Sequence, residues 1–253
     1  MIKILLVIGL FIAFPNFLFA IKPDRNYKAT PADYGLRYTE FQIKTKDGFY
    51  LNVWNIPAKN TKNITLIICG GDAGNMSYYL NQAFLLTKKG INIILFDYRG
   101  FGKSSDFNID SSLLFHSEFL IDFETILKYT KKTYPFNKIG TLGYSMGGYF
   151  PFITKIKMDF IIADSPLGYP KNVLERLNKK NIKLPLNAVD IKLKKEQTLI
   201  FIGENDRIIK MSDFKYTKEN KINIVLYKGG HCEAFEIDNS NFVNRIFKFI
   251  HTI

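Results

Sequence analysis

The sequence predicts an α/β fold, with a mostly parallel central sheet and helices on both faces. Three observations carry that reading. Short, nearly unbroken apolar runs recur at residues 65–71 (TLIICGG), 91–98 (INIILFDY), 138–145, 159–165, 198–206 and 221–230. Runs of this length without polar alternation describe strands buried on both faces. Helix-period segments fall between them, at 76–89, 112–132, 146–156 and 240–252, and strands alternating with helices imply parallel pairing. At 253 residues and 47% hydrophobic, the chain can enclose one substantial core, so residues 21–253 are read as a single domain.

Residues 1–20 stand apart, with one charge, Lys3, ahead of an apolar run that ends at Ala20. A basic start, an apolar middle and a small boundary residue describe a secretory signal peptide, so the domain is expected to be exported, periplasmic or secreted. Leu18 suits a cleavage site poorly and residues 4–20 approach bilayer length, so an uncleaved membrane anchor is the alternative. Next, 37–45 and 49–57 flank Lys46-Asp47-Gly48, which reads as an N-terminal antiparallel hairpin. In 112–132, Leu113, Leu114, Phe119, Leu120, Phe123, Ile126 and Leu127 form the face that packs on the sheet. Residues 167–196 break the alternation and are read as a short cap insertion, with Lys171 to Lys180 as an amphipathic helix.

The formal net charge is +12, but the lysines are scattered, without the aromatic interleaving or fold motif that nucleic-acid recognition uses. The charge argues against a nucleic-acid partner and leaves association with an anionic membrane surface open. Cys69 and Cys232 lack metal-ligand spacing, so no metal site is expected. Both fall at strand ends, and whether they pair depends on a distance the sequence does not hold.

Chemistry gathers at Gly143-Tyr144-Ser145-Met146-Gly147, between a strand run and a helix run. That context makes Ser145 a candidate nucleophile in a tight elbow. Gly143 and Gly147 flank it where side chains would collide with strand and helix. A serine hydroxyl needs a base and an acid that orients it. Of three histidines, His116 lies in a predicted helix and His251 at the terminus, whereas His231 follows a strand and Gly229-Gly230. The acid should end a strand between Ser145 and His231, which Asp206 does; Glu204, Asp213 and Asp164 are the alternatives. The backbone N–H of Met146, at a helix start, is a candidate oxyanion donor, and the second should come from Gly70-Gly71-Asp72 through the Asp72 main chain.

The ordered set GGDAGN (70–75), FDYRGFGKS (96–104), GYSMGG (143–148), GENDRII (203–209) and GGH (229–231) resembles the α/β-hydrolase superfamily over about residues 37–250. Within it the chain is similar to exported or membrane-anchored serine hydrolases whose oxyanion loop reads H-G-N-A-G-N. Gly70 and Asp72 depart from that pattern, and the Asp72 side chain is expected to turn away from the oxyanion, toward Arg99 or Lys103. The resemblance favours Asp206 as the acid and implies that Asp97 and Arg99 support the site's loops. It implies a serine hydrolase acting on ester, thioester or related acyl bonds of a small-molecule or lipid substrate, with no cofactor. A serine peptidase and a non-catalytic, membrane-anchored binding relative are the alternatives.

Overall fold

A computed structural model describes residues 21–177, 182–191, 197–214 and 223–253. The leader at 1–20, part of the cap segment and the end of the predicted 171–180 helix lie outside the described residues.

In chain order the elements are β1 (Lys22–Pro23), β2 (Thr39–Lys44), β3 (Tyr50–Ile56), β4 (Ile64–Cys69), β5 (Ala73–Gly74), α1 (Leu80–Lys88), β6 (Ile91–Phe96), α2 (Glu118–Thr133) and β7 (Lys138–Tyr144). They continue with α3 (Phe150–Ile153), β8 (Phe160–Asp164), α4 (Pro170–Leu177), β9 (Thr198–Gly203), β10 (Asn223–Tyr227), α5 (Ala234–Ile237) and α6 (Asn239–Ile250). The main sheet runs β10-β9-β8-β7-β4-β6-β3-β2. β3 pairs antiparallel with both β2 and β6, while every other pairing in this sheet is parallel. The hairpin is therefore as predicted, with Gly48 at φ +98° supplying the turn.

Both faces of the sheet are covered. In β4, Ile67 and Cys69 point to the side packed by Phe119, Phe123, Ile126 and Leu127 of α2. Leu66 and Ile68 point to the side packed by Leu80, Ala83 and Leu86 of α1 and by Phe242, Val243 and Ile246 of α6. All six β4 residues are buried, which is why the strand shows no polar alternation.

Two predicted helices are corrected. The 112–132 helix begins only at Glu118, because Asp110 and His116 hold residues 110–117 in a looped conformation: the Asp110 carboxylate accepts the Ser112 N–H at 2.8 Å and the His116 Nε2 accepts the Asp110 N–H at 3.0 Å. The 146–156 helix shrinks to a 3-10 turn, Ser145–Gly148, and the short α3, since Gly147, Gly148 and Pro151 form a poor helical run. Among the described residues no helix is long and apolar enough to cross a membrane.

Candidate active site

Ser145 follows β7 directly, with φ at +47°. A non-glycine residue occupies this left-handed region only where its surroundings enforce it. Here the enforcement is crowding. A Cβ on Gly143 would lie 2.5 Å from the Gly147 carbonyl oxygen, and one on Gly147 would meet the carbonyls of Cys69 and Gly70. Glycine at both positions lets the elbow close on β7 and on the loop after β4.

His231 sits between β10 and α5, far from Ser145 in sequence. Its Nε2 lies 2.9 Å from the Ser145 Oγ and its Nδ1 2.8 Å from the Asp206 Oδ2. Asp206 is fixed through its other oxygen, which accepts the N–H groups of Ile208 and Ile209 at 2.8 and 3.0 Å. Burial works against the Asp206 charge, but His231 and those two N–H groups outweigh it and hold the carboxyl below its ordinary range. An ionised carboxylate only accepts, so the Nδ1 carries the proton and the Nε2 of a neutral imidazole faces the serine. Burial likewise opposes charge on His231, yet Asp206, with Asp72 and Asp164 adding, raises its pKa above the usual 6.5.

The other candidates are occupied elsewhere. His116 accepts from the Asp110 N–H, and the His251 Nδ1 sits 2.8 Å from the Phe247 carbonyl. Asp213 takes the guanidinium of Arg176 on α4 and the Lys210 N–H; Glu204 is exposed. Asp164 is fully buried and braces the histidine loop, its oxygens 3.1 Å from the Tyr227 hydroxyl and 3.2 Å from the Ala234 N–H.

In the loop after β4, the Gly71 N–H donates to the Tyr79 hydroxyl at 2.9 Å, and Gly70 packs against the Tyr79 ring. The Asp72 side chain departs from expectation. Arg99 forks between Asp47 (2.6 and 3.0 Å) and Asp122 (2.7 Å), and Lys103 binds Glu40 at 3.0 Å. Asp72 instead lies within electrostatic reach of His231 and Lys22; burial raises its pKa, while His231 when protonated, the Asp72 backbone N–H and Lys22 oppose the rise. The Asp97 carboxylate accepts the Met76 N–H at 2.7 Å and the Tyr27 hydroxyl at 2.5 Å, so it fixes the turn that follows this loop. Arg99, sealed against Phe49 at 4.1 Å, ties the loop after β6 to the hairpin and α2. Cys69 and Cys232 are both free thiols, and burial pushes both pKa values up. Among the described residues no group of histidine, cysteine and carboxylate side chains is arranged to hold a metal.

A parallel sheet with a serine elbow, a histidine loop and an acid loop at one edge is the α/β-hydrolase fold. Residues 60–156 match the family model described as serine aminopeptidase, S33. Among solved structures, an esterase of Pyrococcus furiosus, Pf2001, superposes with a TM-score of 0.75 at 21% identity, over 93% of this chain and 99% of that one. The lidless serine hydrolase XC6422 of Xanthomonas campestris gives 0.62 at 16% identity, over 85% of this chain and 94% of that one. The uncharacterized protein YfhR of Salmonella typhi is 31% identical over 131 residues, 50% of this chain and 42% of that protein. An uncharacterized membrane protein of Saccharomyces cerevisiae, YNL320W, is 26% identical over 125 residues, 49% of this chain and 42% of that protein. The match thus spans less than half the length of these curated relatives.

Proposed function

We propose that the protein is a serine hydrolase that cleaves carboxylic ester, thioester or related acyl bonds through an acyl-enzyme. One observation carries the reading: the unbroken relay from the Ser145 Oγ through His231 to Asp206, at 2.9 and 2.8 Å. As the Ser145 oxygen attacks the acyl carbon, the His231 Nε2 takes its proton and then gives it to the leaving group. Asp206 holds the imidazole tautomer and offsets its transient charge. The backbone N–H groups of Asp72 and Met146 are assigned to the oxyanion, each such donor contributing on the order of 3 kcal/mol. Water, deprotonated by His231, then releases the acid. No step calls on a cofactor.

The likeness to an esterase supports a small-molecule or lipid acyl substrate; the serine aminopeptidase match supports a peptidase as second reading. If residues 1–20 direct export or act as an anchor, this chemistry takes place outside the cytoplasm or at a membrane surface. Fluorophosphonate labelling of wild type against Ser145→Ala tests the enzyme reading: only wild type should label, and an unlabelled wild type sinks it. A parallel panel of p-nitrophenyl esters and aminoacyl p-nitroanilides separates esterase from peptidase: turnover of the anilides supports a peptidase, and turnover of the esters alone supports an esterase.

A further inference from the structure

The segment that follows residue 20 is stitched to the candidate oxyanion loop. The Lys22 N–H donates to the Asp72 carbonyl at 2.7 Å and the Asp24 N–H to the Gly74 carbonyl at 2.8 Å, giving the small parallel sheet of β1 and β5. From the loop, the Asn75 Nδ2 donates to the carbonyls of Asp24 and Asn26 at 3.0 and 2.8 Å. The Lys28 N–H donates to the Ser77 hydroxyl at 3.0 Å. Tyr27 reaches the same place from another side, since the Asp97 carboxylate that accepts its hydroxyl also accepts the Met76 N–H.

The segment is itself held to the body of the domain. The Ile21 side chain is buried in the core that contains Met146, the Gly102 N–H donates to the Asp24 carbonyl at 3.0 Å, and Tyr27 packs edge-on against Trp54, 4.7 Å between ring centroids. The loop needs an external support. Gly70, Gly71 and Gly74 leave its backbone wide freedom, and Gly74 sits at φ +83°. Oxyanion donors act only when preorganised within a fraction of an ångström of the developing charge.

Resting on the acyl-transfer reading above, we infer that Lys22–Lys28 is a positioning strap for catalysis. It clamps the backbone from Asp72 to Ser77, the loop to which the second oxyanion donor is assigned, and it acts through that loop without touching substrate.

The full chain tests this with p-nitrophenyl acetate turnover and the fluorophosphonate labelling rate. Asn75→Asp keeps the oxygen that accepts from the Ser77 N–H and hydroxyl but removes the Nδ2 donors to the strap. Lys22→Pro removes the N–H that meets Asp72 from the opposite side. Tyr27→Phe keeps the packing on Trp54 and cuts the hydroxyl link to Asp97. Each should lower kcat and the labelling rate by roughly 10- to 100-fold, with KM changed less than about threefold. Tyr134→Phe, which removes a 2.7 Å bond to Asn55, should lower the melting temperature and leave kcat unchanged. Strap variants that fold, as judged by near-UV circular dichroism, and keep kcat within about twofold of wild type overturn the strap alone. A wild type that neither labels nor turns over ester removes the acyl-transfer reading and the strap with it.

Discussion

Replacing Asp164 with asparagine separates the acid that orients His231 from the acid that braces its loop. The Tyr227 hydroxyl has one proton. It lies 2.8 Å from the Gly230 carbonyl, which can only accept, and 3.0 Å from the Glu233 N–H, which can only donate. With its proton given to Gly230, it bonds the Asp164 oxygen 3.1 Å away only if that carboxyl is protonated. Burial, the largest influence, pushes the Asp164 pKa from the ordinary 3.8 up to about 7, against the opposing effects of His231 and the Ala234 N–H. Between those two values the folded chain holds a proton that the unfolded chain has lost. Stability from this group therefore falls as pH rises, by about 1.4 kcal/mol per pH unit and about 4 kcal/mol in all, and is level above the folded pKa. Asparagine reproduces the protonated acid: its N–H donates to Tyr227 and its oxygen accepts from Ala234. Urea unfolding at a series of pH values should show Asp164→Asn equal to wild type near pH ~4 and more stable by up to about 4 kcal/mol at pH ~8. Groups that do not interact with Asp164 cancel in the difference, while its attraction to a protonated His231 remains and trims the gain. Its kcat should stay within about threefold of wild type, whereas Asp206→Asn should lose on the order of 10⁴ through the wrong tautomer. A stability difference that is flat across this range, or that turns against asparagine as pH rises, refutes the protonated brace.

Two further outcomes follow from buried charge. Arg99→Met leaves Asp122, a fully buried carboxylate, without its fork, and should cost about 3–5 kcal/mol in urea unfolding near pH ~8, part of it recovered by adding Asp122→Asn; an unchanged midpoint would mean the pair contributes nothing. Because the proposed mechanism needs a neutral His231 as base and its pKa is raised above 6.5, kcat/KM should climb with pH and reach half its plateau above that value. Asp206→Asn should move that limb to lower pH as well as lowering the plateau; a limb that stays in place would show that Asp206 is not the group raising the imidazole pKa.

The sequence made legible whatever depends on near neighbours or on strand ends. The apolar runs became strands because burial on both faces admits no polar residue, and Gly143 and Gly147 could be read as elbow glycines because the atoms they avoid lie within a few residues or on the adjoining strand. The onset of α2 differs from the sequence reading because Leu114, which fits a helical face, is buried by the loop that Asp110 and His116 fold instead. The strap left no trace for a different reason. β1 and β5 have two residues each and pair through main-chain groups, which nearly every residue type carries alike, and the Tyr27–Asp97 bond joins residues 70 apart. The choice among Asp164, Asp206 and Asp213 rested on the resemblance of GENDRII, since periodicity does not separate them and the local backbone direction decides which faces the imidazole. After β9 the chain turns so that the Ile208 and Ile209 N–H groups hold one Asp206 oxygen and free the other for His231. After β8 the carboxyl points to Tyr227, where it holds the histidine's loop and leaves its ring alone.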